Sequence, residues 1–170
     1  AARLAGDLTA LNQSRKALTE KGKEEAIRII EATELKNDRV LVVYLPDCHE
    51  SLAGIIAGRI REKYHRPAFV LTGGETSAKG SGRSIESYSM YEELVKCADL
   101  MIQFGGHPMA AGLSIEEKNI EEFRRRLNVN CTLTDEELRP KIVIDVPMPV
   151  SYITKELVEQ ISLLEPFGKG

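Results

Sequence analysis

Residues 39–45, with the sequence RVLVVYL, form a nearly continuous run of apolar and β-branched side chains. A strand with one face in water alternates apolar and polar residues, whereas a continuous apolar run is typical of a strand that is covered on both faces. The run therefore predicts a central strand in an α/β fold, with helices packed against the sheet that contains it.

The rest of the chain supplies the other elements of such a fold. Short apolar or glycine-rich stretches predict further strands at residues 68–71, 80–84, 110–115 and 141–146. Apolar residues at helical spacing predict helices at residues 52–64, 89–101, 119–127 and 154–164. We therefore expect a single α/β domain with a central mixed β-sheet flanked by helices, preceded by a long helix over residues 1–32.

The long helix is predicted from a narrow apolar stripe. Leu4, Leu11 and Leu18 recur every seven residues, with Leu8 between them, and polar residues take most of the other positions. Gly22 is the weak point, because glycine lowers helix stability by about 1 kcal/mol relative to alanine. If the helix bends or breaks, we therefore expect it to do so near Gly22.

Composition limits the class of protein. The 170 residues are 42% hydrophobic and 29% charged, a balance that suits one ordinary core. The formal net charge of −3 differs from the strongly basic balance of a dedicated DNA-binding domain. Any contact with DNA must therefore be local, in a groove, or shared with other domains.

The cysteines and the hydropathy pattern bear on the setting of the protein. Cys48, Cys97 and Cys131 are odd in number and widely spaced, which indicates neither a zinc site nor a disulfide framework. A reducing, cytoplasmic setting is therefore expected. No apolar run reaches the roughly 18 residues that a membrane span needs, and no signal peptide opens the sequence, so no membrane partner is expected.

Residues 104–112, with the sequence FGGHPMAAG, combine two glycines, a histidine and several very small side chains. Small residues leave the backbone open to close approach by a ligand, which predicts a ligand-contacting loop. His107 supplies the chemistry of the stretch, as a neutral hydrogen-bonding group or as a cation near neutral pH. A plain structural turn is the alternative interpretation of the two glycines.

Residues 79–84, with the sequence KGSGRS, repeat the same design about two dozen residues earlier. Amides and hydroxyls can position a phosphate, and Arg83 adds the planar, charge-assisted fork that suits phosphate oxygens. The two stretches together predict a phosphate-lined groove. A hairpin of glycine and serine with a solvated arginine is the alternative.

The turn after residues 39–45 holds a further candidate. His49 and Ser51 follow the carboxyl end of the predicted strand, where open α/β sheets tend to place ligands. Either His49 contacts the substrate, or Ser51 simply caps the next helix. The basic residues of that helix and the triplet Arg124 to Arg126 are more typical of solvated helix surfaces than of a DNA site.

The two glycine-rich stretches at residues 79–84 and 104–112 resemble the RecJ single-strand-specific exonucleases of the DHH phosphoesterase superfamily. Three further stretches share this resemblance: residues 54–59 (GIIAGR), 64–67 (YHRP) and 164–168 (LEPFG). The resemblance covers nearly the whole chain, and it implies the DHH-associated accessory domain of such an enzyme. Residues 38–128 would be the core of that substrate-binding domain, and residues 1–32 would be a linker helix from the catalytic domain. Residues 129–170 would be a closing strand and helix that lead toward an oligonucleotide-binding domain.

The resemblance also implies a function. The chain would be the substrate-binding accessory domain of a metal-dependent 5′-to-3′ single-stranded-DNA exonuclease, and it would grip the 5′-phosphate and the DNA backbone opposite a catalytic domain outside this sequence. Contacts with that domain and with the oligonucleotide-binding domain would be intramolecular. The family usually has a histidine in the loop of His49. The implied DNA-contacting residues are Ser81, Gly82, Arg83, Gly105, Gly106, His107 and His49, with His107 near the scissile phosphate.

Metal chemistry is expected outside this chain. Two-metal hydrolysis needs clustered carboxylates and histidines, and the sequence has no Asp-His-His triplet and no dense aspartate cluster. The resemblance implies that Mn²⁺ or Mg²⁺ is bound by the catalytic domain and not here. We therefore expect the chain alone to be inactive as a phosphodiesterase.

Two other functions are compatible with these residues. One is the accessory domain of a DHH-type phosphodiesterase for oligoribonucleotides or phosphorylated nucleotides. Those relatives tend to carry a third glycine where this chain has Phe104, and they usually lack an exit such as residues 164–168, so both features favour the exonuclease. The other alternative is a nucleic-acid-binding module with no catalytic partner.

Overall fold

The computed structural model describes residues 2–142, 144 and 146–167, and the chain divides into two units, Ala1–Pro140 and Lys141–Gly170. The helices of the first unit are α1 (Ala2–Ala32), α2 (Glu50–Tyr64), α3 (Met90–Val95) and α4 (Ile120–Asn130). Its strands are β1 (Leu41–Leu45), β2 (Ala68–Thr72), β3 (Ala78–Arg83), β4 (Met101–His107) and β5 (Ala110–Ile115). The second unit contains α5 (Lys155–Ser162).

The five strands form one sheet in the order β1-β2-β3-β5-β4. The sheet is mixed, as the sequence predicts, but β4 is not among the strands predicted from the sequence. β1 and β2 are parallel, and the other neighbours are antiparallel. The predicted central position of β1 is wrong, because β1 lies at the edge of the sheet. A parallel pair needs a crossover connection, which α2 provides, and the antiparallel strands extend the sheet from the other side of β2.

The prediction that β1 is covered on both faces is confirmed, since four of its five residues are buried. Alternate residues of a strand point to opposite faces. Val42 packs in a cluster with Phe69 and with Phe123 of α4. Val43 packs in a second cluster with Ile30 of α1 and Ile56 of α2. Among the described residues, the second cluster includes none from β4 or β5, so the helices of that face stop short of these two strands.

The first half of α1 exposes its predicted leucine stripe, and the second half packs on the domain. Leu4 and Leu11 are each 68% exposed, whereas Ala26 and Ile30 are fully buried. The helix runs unbroken through Gly22. A Cβ atom there would lie 2.6 Å from Cδ1 of Ile56, so Gly22 allows close packing of α1 against α2 and does not cause a bend.

The helix predicted at residues 89–101 is shorter in the structure. After α3 ends at Val95, the N–H of Cys97 donates to the carbonyl of Leu94, and the N–H of Leu100 donates to the carbonyl of Cys97. These bonds span three residues, the spacing of a 3₁₀ turn. The tighter turn lets β4 begin at Met101, and it leaves Val95 exposed where the sequence predicted an inward side chain.

The second unit departs from the sequence prediction at its start. Residues 141, 142, 144 and 146 of the predicted closing strand have no regular secondary structure, and Val143 and Asp145 lie outside the described residues. The predicted helix is present as α5, where the hydroxyl of Thr154 accepts a hydrogen bond of 3.2 Å from the N–H of Leu157.

Candidate nucleic-acid interface

Strand β3 carries the polar stretch of residues 79–84 and sorts its side chains between the two faces of the sheet. Gly80 and Gly82 are buried, whereas Lys79 is exposed and Ser81 and Arg83 are half-buried. A Cβ atom on Gly82 would lie 2.6 Å from the Phe69 ring. The glycines of this stretch are therefore required by the core, and the polar side chains point the other way.

The pairing of β3 with β5, and of β5 with β4, extends this pattern across three strands. Residues that pair directly have their side chains on the same face. Three rows result: Arg83, Ala110 and His107; Ser81, Gly112 and Gly105; and Lys79, Ser114 and Gln103. We call the surface made by these nine residues the open face. The prediction that the two glycine-rich stretches lie side by side is confirmed, because residues 81–83 of the first pair with residues 110–112 of the second.

Two of the three rows of the open face, those of Ser81 and of Lys79, form the floor of a groove of about 560 Å³. Ligand pockets in proteins are typically about 300–1,000 Å³. The first residues of α2 form one wall, where Glu50, Ser51 and Ala53 line the groove. All six residues of the rows of Ser81 and of Lys79 line it as well: Ser81, Gly112, Gly105, Lys79, Ser114 and Gln103.

Gly105 has no packing reason to be glycine. A Cβ atom built on it meets no atom within 4 Å, and its φ angle does not lie in the left-handed region. A Cβ on the neighbouring Gly112 would have only one ordinary contact, 3.8 Å from the carbonyl oxygen of Gly80. Glycine weakens a strand, and it often marks a place where a ligand or another backbone approaches closely. The middle of the groove floor is therefore bare.

Gly106 has a structural role of its own. Its φ angle is 153°, and a Cβ there would lie 2.4 Å from the carbonyl oxygen of Ala110. Because β4 ends at His107 and β5 begins at Ala110, the stretch of residues 104–112 is a β-hairpin and not the predicted loop. Pro108 and Met109 form its turn. The carbonyls of Pro108 and Met109 accept hydrogen bonds of 2.9 Å from the N–H groups of Met90 and Ser84.

Arg83 lies between the sheet and α2. Its Nη1 donates to the carbonyl of Gly82 at 2.7 Å. Its Nη2 occupies the space that a Cβ atom on Gly54 would need, 2.7 Å away. Gly54 thus provides the surface of α2 against which the guanidinium lies, a contact that only the crossing of α2 over β3 reveals.

Most other arginines of the described residues form ion pairs with carboxylates. On α2, Nη1 of Arg59 lies 3.0 Å from Oε2 of Glu62. On α4, the guanidinium groups of Arg125 and Arg126 hydrogen-bond to Glu122 and lower the pKa of that carboxyl to about 2. These contacts support the interpretation that the basic stretches of α2 and α4 are ordinary helix surfaces.

The cations of the open face differ from these arginines. Nζ of Lys79 donates to Oγ of Ser114 at 3.0 Å, and Arg83 donates to a carbonyl. Within the described part of the chain, neither cation is paired with a carboxylate. Their charges are therefore available to an anionic ligand, although Glu50 brings one carboxylate to the groove wall.

The two predicted histidines lie in different places. His107 is exposed at the end of β4, in the row of Arg83, and it is not among the residues that line the groove. His49 caps α2, where its Nδ1 accepts a hydrogen bond of 3.2 Å from the N–H of Ser51. The alternative that Ser51 is the cap is therefore wrong. His49 lines a separate cavity of about 630 Å³ beside α1.

Gly82 also lies apart from the groove. It faces the core, so only its peptide group could take part in binding, and that group lies in the sheet between β2 and β5. Sequence reasoning missed Gly112, Ser114 and Gln103, which the alternation along β5 and β4 could have placed beside Ser81 and Lys79.

The described residues contain neither a metal centre nor a membrane-spanning helix. No group of three or more His, Cys, Asp or Glu side chains in this part of the chain is arranged to hold a metal ion. None of the helices that the structure describes is long and apolar enough to cross a membrane.

Comparison with known proteins gives consistent matches. The family model described as DHHA1 domain matches residues 37–132. The single-stranded-DNA-specific exonuclease RecJ of Bacillus subtilis (strain 168) is 36% identical over 169 residues, which cover 97% of this chain and 21% of the relative. RecJ of Dickeya dadantii (strain 3937) is 42% identical over 177 residues, which cover 98% of this chain and 31% of the relative. The chain thus spans about a fifth to a third of these curated relatives.

Solved structures show the same relationship. The crystal structure of RecJ in complex with Mg²⁺ from Thermus thermophilus superposes with a TM-score of 0.74 at 28% identity, covering 98% of this chain and 26% of that one. A crystal structure of exonuclease RecJ bound to manganese gives a TM-score of 0.66 at 31% identity, with 76% and 31% covered.

The position of Arg83 against Gly54 can be tested with a matched pair of glycines on α2. A Cβ at Gly58 meets nothing within 4 Å, whereas a Cβ at Gly54 would meet the Arg83 guanidinium. Gly58→Ala should raise the free energy of unfolding by about 1 kcal/mol. Gly54→Ala should give a smaller gain and should shift the Arg83 Nε–H signal in NMR spectra. Equal gains and an unmoved Arg83 signal in both variants would contradict the contact.

Proposed function

The chain belongs to the DHHA1 domain family and resembles RecJ exonucleases along nearly its whole length, and from this we propose that its groove holds the phosphates of single-stranded DNA. In the full-length protein the groove would form one wall of the active-site cleft of a 5′-to-3′ exonuclease. The opposite wall would be a catalytic domain outside this sequence.

The observation that carries the proposal is the pair of unneutralised cations on the open face. Lys79 lines the groove, and Arg83 lies two residues beyond Ser81 on the same face of β3. Apart from Lys79 and Glu50, the residues that line the groove are uncharged. Phosphate oxygens bind best to charge-assisted donors, with arginine as the residue whose geometry suits them. A local site of this kind is compatible with a chain whose net charge is −3.

The bare floor supports the same ligand. Gly105 and Gly112 leave the centre of the groove without side chains, so a sugar–phosphate backbone can lie directly on the sheet. Contacts to the DNA backbone carry no sequence information, which suits an enzyme that degrades any sequence. Only 5% of the residues are aromatic, so we assign base stacking to other parts of the protein.

Ser81 and Arg83 are assigned to the 5′-terminal phosphate. They are two residues apart on one face of β3, so their Cα atoms are separated by about 6.7 Å and both side chains can reach one phosphate. His107 lies two strands away in the row of Arg83, about 10 Å distant. We assign it to positioning of the substrate, on the side that would face the catalytic domain.

The proposal assigns metal ions to the catalytic domain. The described residues offer no cluster that fits a Mg²⁺ or Mn²⁺ centre. The RecJ structures solved with these ions are longer proteins, of which this chain covers only 26–31%. The contribution of this chain is therefore to bind and orient the strand, and hydrolysis requires the rest of the protein.

Arg83→Ala tests the assignment of the terminal phosphate. The readout is fluorescence anisotropy of 3′-labelled single-stranded oligonucleotides that carry either a 5′-phosphate or a 5′-hydroxyl. Wild-type protein should prefer the 5′-phosphate, and Arg83→Ala should weaken binding of that ligand about 10- to 100-fold, because a hydrogen bond to a charged group contributes about 1.5–3 kcal/mol. The preference for the 5′-phosphate should disappear.

Arg59→Ala is the matched control, since Arg59 lies on α2 and is paired with Glu62. It should change neither affinity nor preference. Binding that ignores the 5′ end in wild-type protein, or an Arg83→Ala variant that retains the preference, would refute the assignment. Equal or tighter binding of an RNA of the same length would favour the oligoribonucleotide alternative.

Gly105→Ala tests the bare floor without removing any polar group. The added methyl group has room in the free protein, so the free energy of unfolding should stay the same or rise by up to about 1 kcal/mol. Binding of 5′-phosphorylated DNA should weaken about tenfold, because the methyl group occupies the position of the DNA backbone. Gly82→Ala is the contrasting variant, and it should lower stability by about 1–3 kcal/mol through overpacking against Phe69. Unchanged DNA affinity in Gly105→Ala would exclude contact with this part of the floor.

A further inference from the structure

The row of Lys79, Ser114 and Gln103 lies two residues along the sheet from the row of Ser81. It lines the same groove but lies at the end away from Arg83. We propose that Lys79 and Ser114 form a second phosphate subsite, which takes the phosphate next to the terminal one. This inference rests on the proposed function, in that it assumes a strand whose terminal phosphate is held by Ser81 and Arg83.

The first argument concerns the bonding capacity of Lys79. An ammonium group has three N–H donors, and in the structure one donates to Oγ of Ser114 at 3.0 Å. Lys79 is exposed, and the described part of the chain offers it no carboxylate partner. Ser114 is only 9% exposed, and its hydroxyl keeps its own proton while it accepts from Lys79. A phosphate oxygen could therefore receive hydrogen bonds from both groups.

The second argument is geometric. Ser81 and Lys79 are two residues apart on β3, so their rows are about 6.7 Å apart along the strand. The sugar–phosphate backbone of an extended single strand repeats over a comparable distance. In the row of Ser81 the floor is open at Gly112 and Gly105, so no side chain of these two residues blocks the path from one subsite to the next.

The third argument fixes the direction of the strand. Leu45 pairs with Thr72, and Thr72 pairs with Lys79, so the start of α2 lies at the Lys79 end of the sheet. Gly54, one turn further along α2, lies against Arg83. The DNA would therefore run from its 5′ end at Arg83 toward the first turn of α2. Glu50 stands at this exit and opposes the second phosphate, so Lys79 has to outweigh its charge.

The test compares two ligands that differ by one nucleotide: thymidine 5′-monophosphate, which has the terminal phosphate alone, and the 5′-phosphorylated dinucleotide of thymidine, which has two phosphates. NMR titration of the isotope-labelled 170-residue chain measures the affinity of both ligands for wild type, Lys79→Gln, Lys79→Arg and Arg83→Ala. Lys79→Gln should bind the monophosphate as wild type does, within about twofold, and should bind the dinucleotide about tenfold more weakly. Lys79→Arg should restore most of that loss.

Two further readouts separate a charge contact from a structural effect. The slope of log K against log salt concentration for the dinucleotide should become shallower by about 0.7 in Lys79→Gln, since one fewer phosphate is neutralised. Glu50→Gln should tighten binding of the dinucleotide about two- to fivefold and leave the monophosphate unchanged, because only the second phosphate faces Glu50.

Each other outcome overturns a specific claim. An equal loss for both ligands in Lys79→Gln would place Lys79 at the terminal phosphate, and no loss for either would remove it from the site, so both results overturn the second subsite. If Arg83→Ala binds the monophosphate as wild type does while Lys79→Gln loses affinity for the dinucleotide, the second subsite stands and the proposed terminal-phosphate site fails. Failure of wild-type protein to bind either ligand would overturn both claims.

Discussion

The alternation of side chains along β3 is the constraint on which the rest of the site depends. Each residue of this strand must face either the core or the groove, and the order of glycine and polar residues satisfies both sides. Gly82 leaves room for Phe69, while Ser81 and Arg83 reach the opposite surface. A shift of one residue in the register with β2 would bury the charges and expose the glycines. Packing on one face therefore fixes the chemistry of the other.

The groove exists because α2 covers only part of the sheet. It packs on β1 and β2 through residues such as Ile56 and Ala53, and among the described residues that core cluster includes none from β4 or β5. The same helix gives Arg83 a surface at Gly54 and brings Glu50 and Ser51 to the groove wall. One crossover helix thus closes the second core cluster and forms the side of the binding site.

Sequence alone predicted the α/β class, the mixed sheet, the long first helix and the pairing of the two glycine-rich stretches, and the resemblance to the DHH-associated domain of RecJ is confirmed by the DHHA1 match. It misplaced β1, because an apolar run records burial and not strand order. It treated Gly82 and Gly105 alike, although one faces the core and the other faces solvent. The contact of Gly54 with Arg83 could not be predicted either, because it joins residues that are 29 positions apart in the sequence.

The most direct test of the account is a crystal structure of the chain with the 5′-phosphorylated thymidine dinucleotide. The account predicts that the terminal phosphate lies within hydrogen-bonding distance of Ser81 Oγ and the Arg83 guanidinium, with the sugar–phosphate backbone passing over Gly105 and Gly112. A dinucleotide bound in the cavity beside α1 that His49 lines, or against the arginines of α2 or α4, would contradict it.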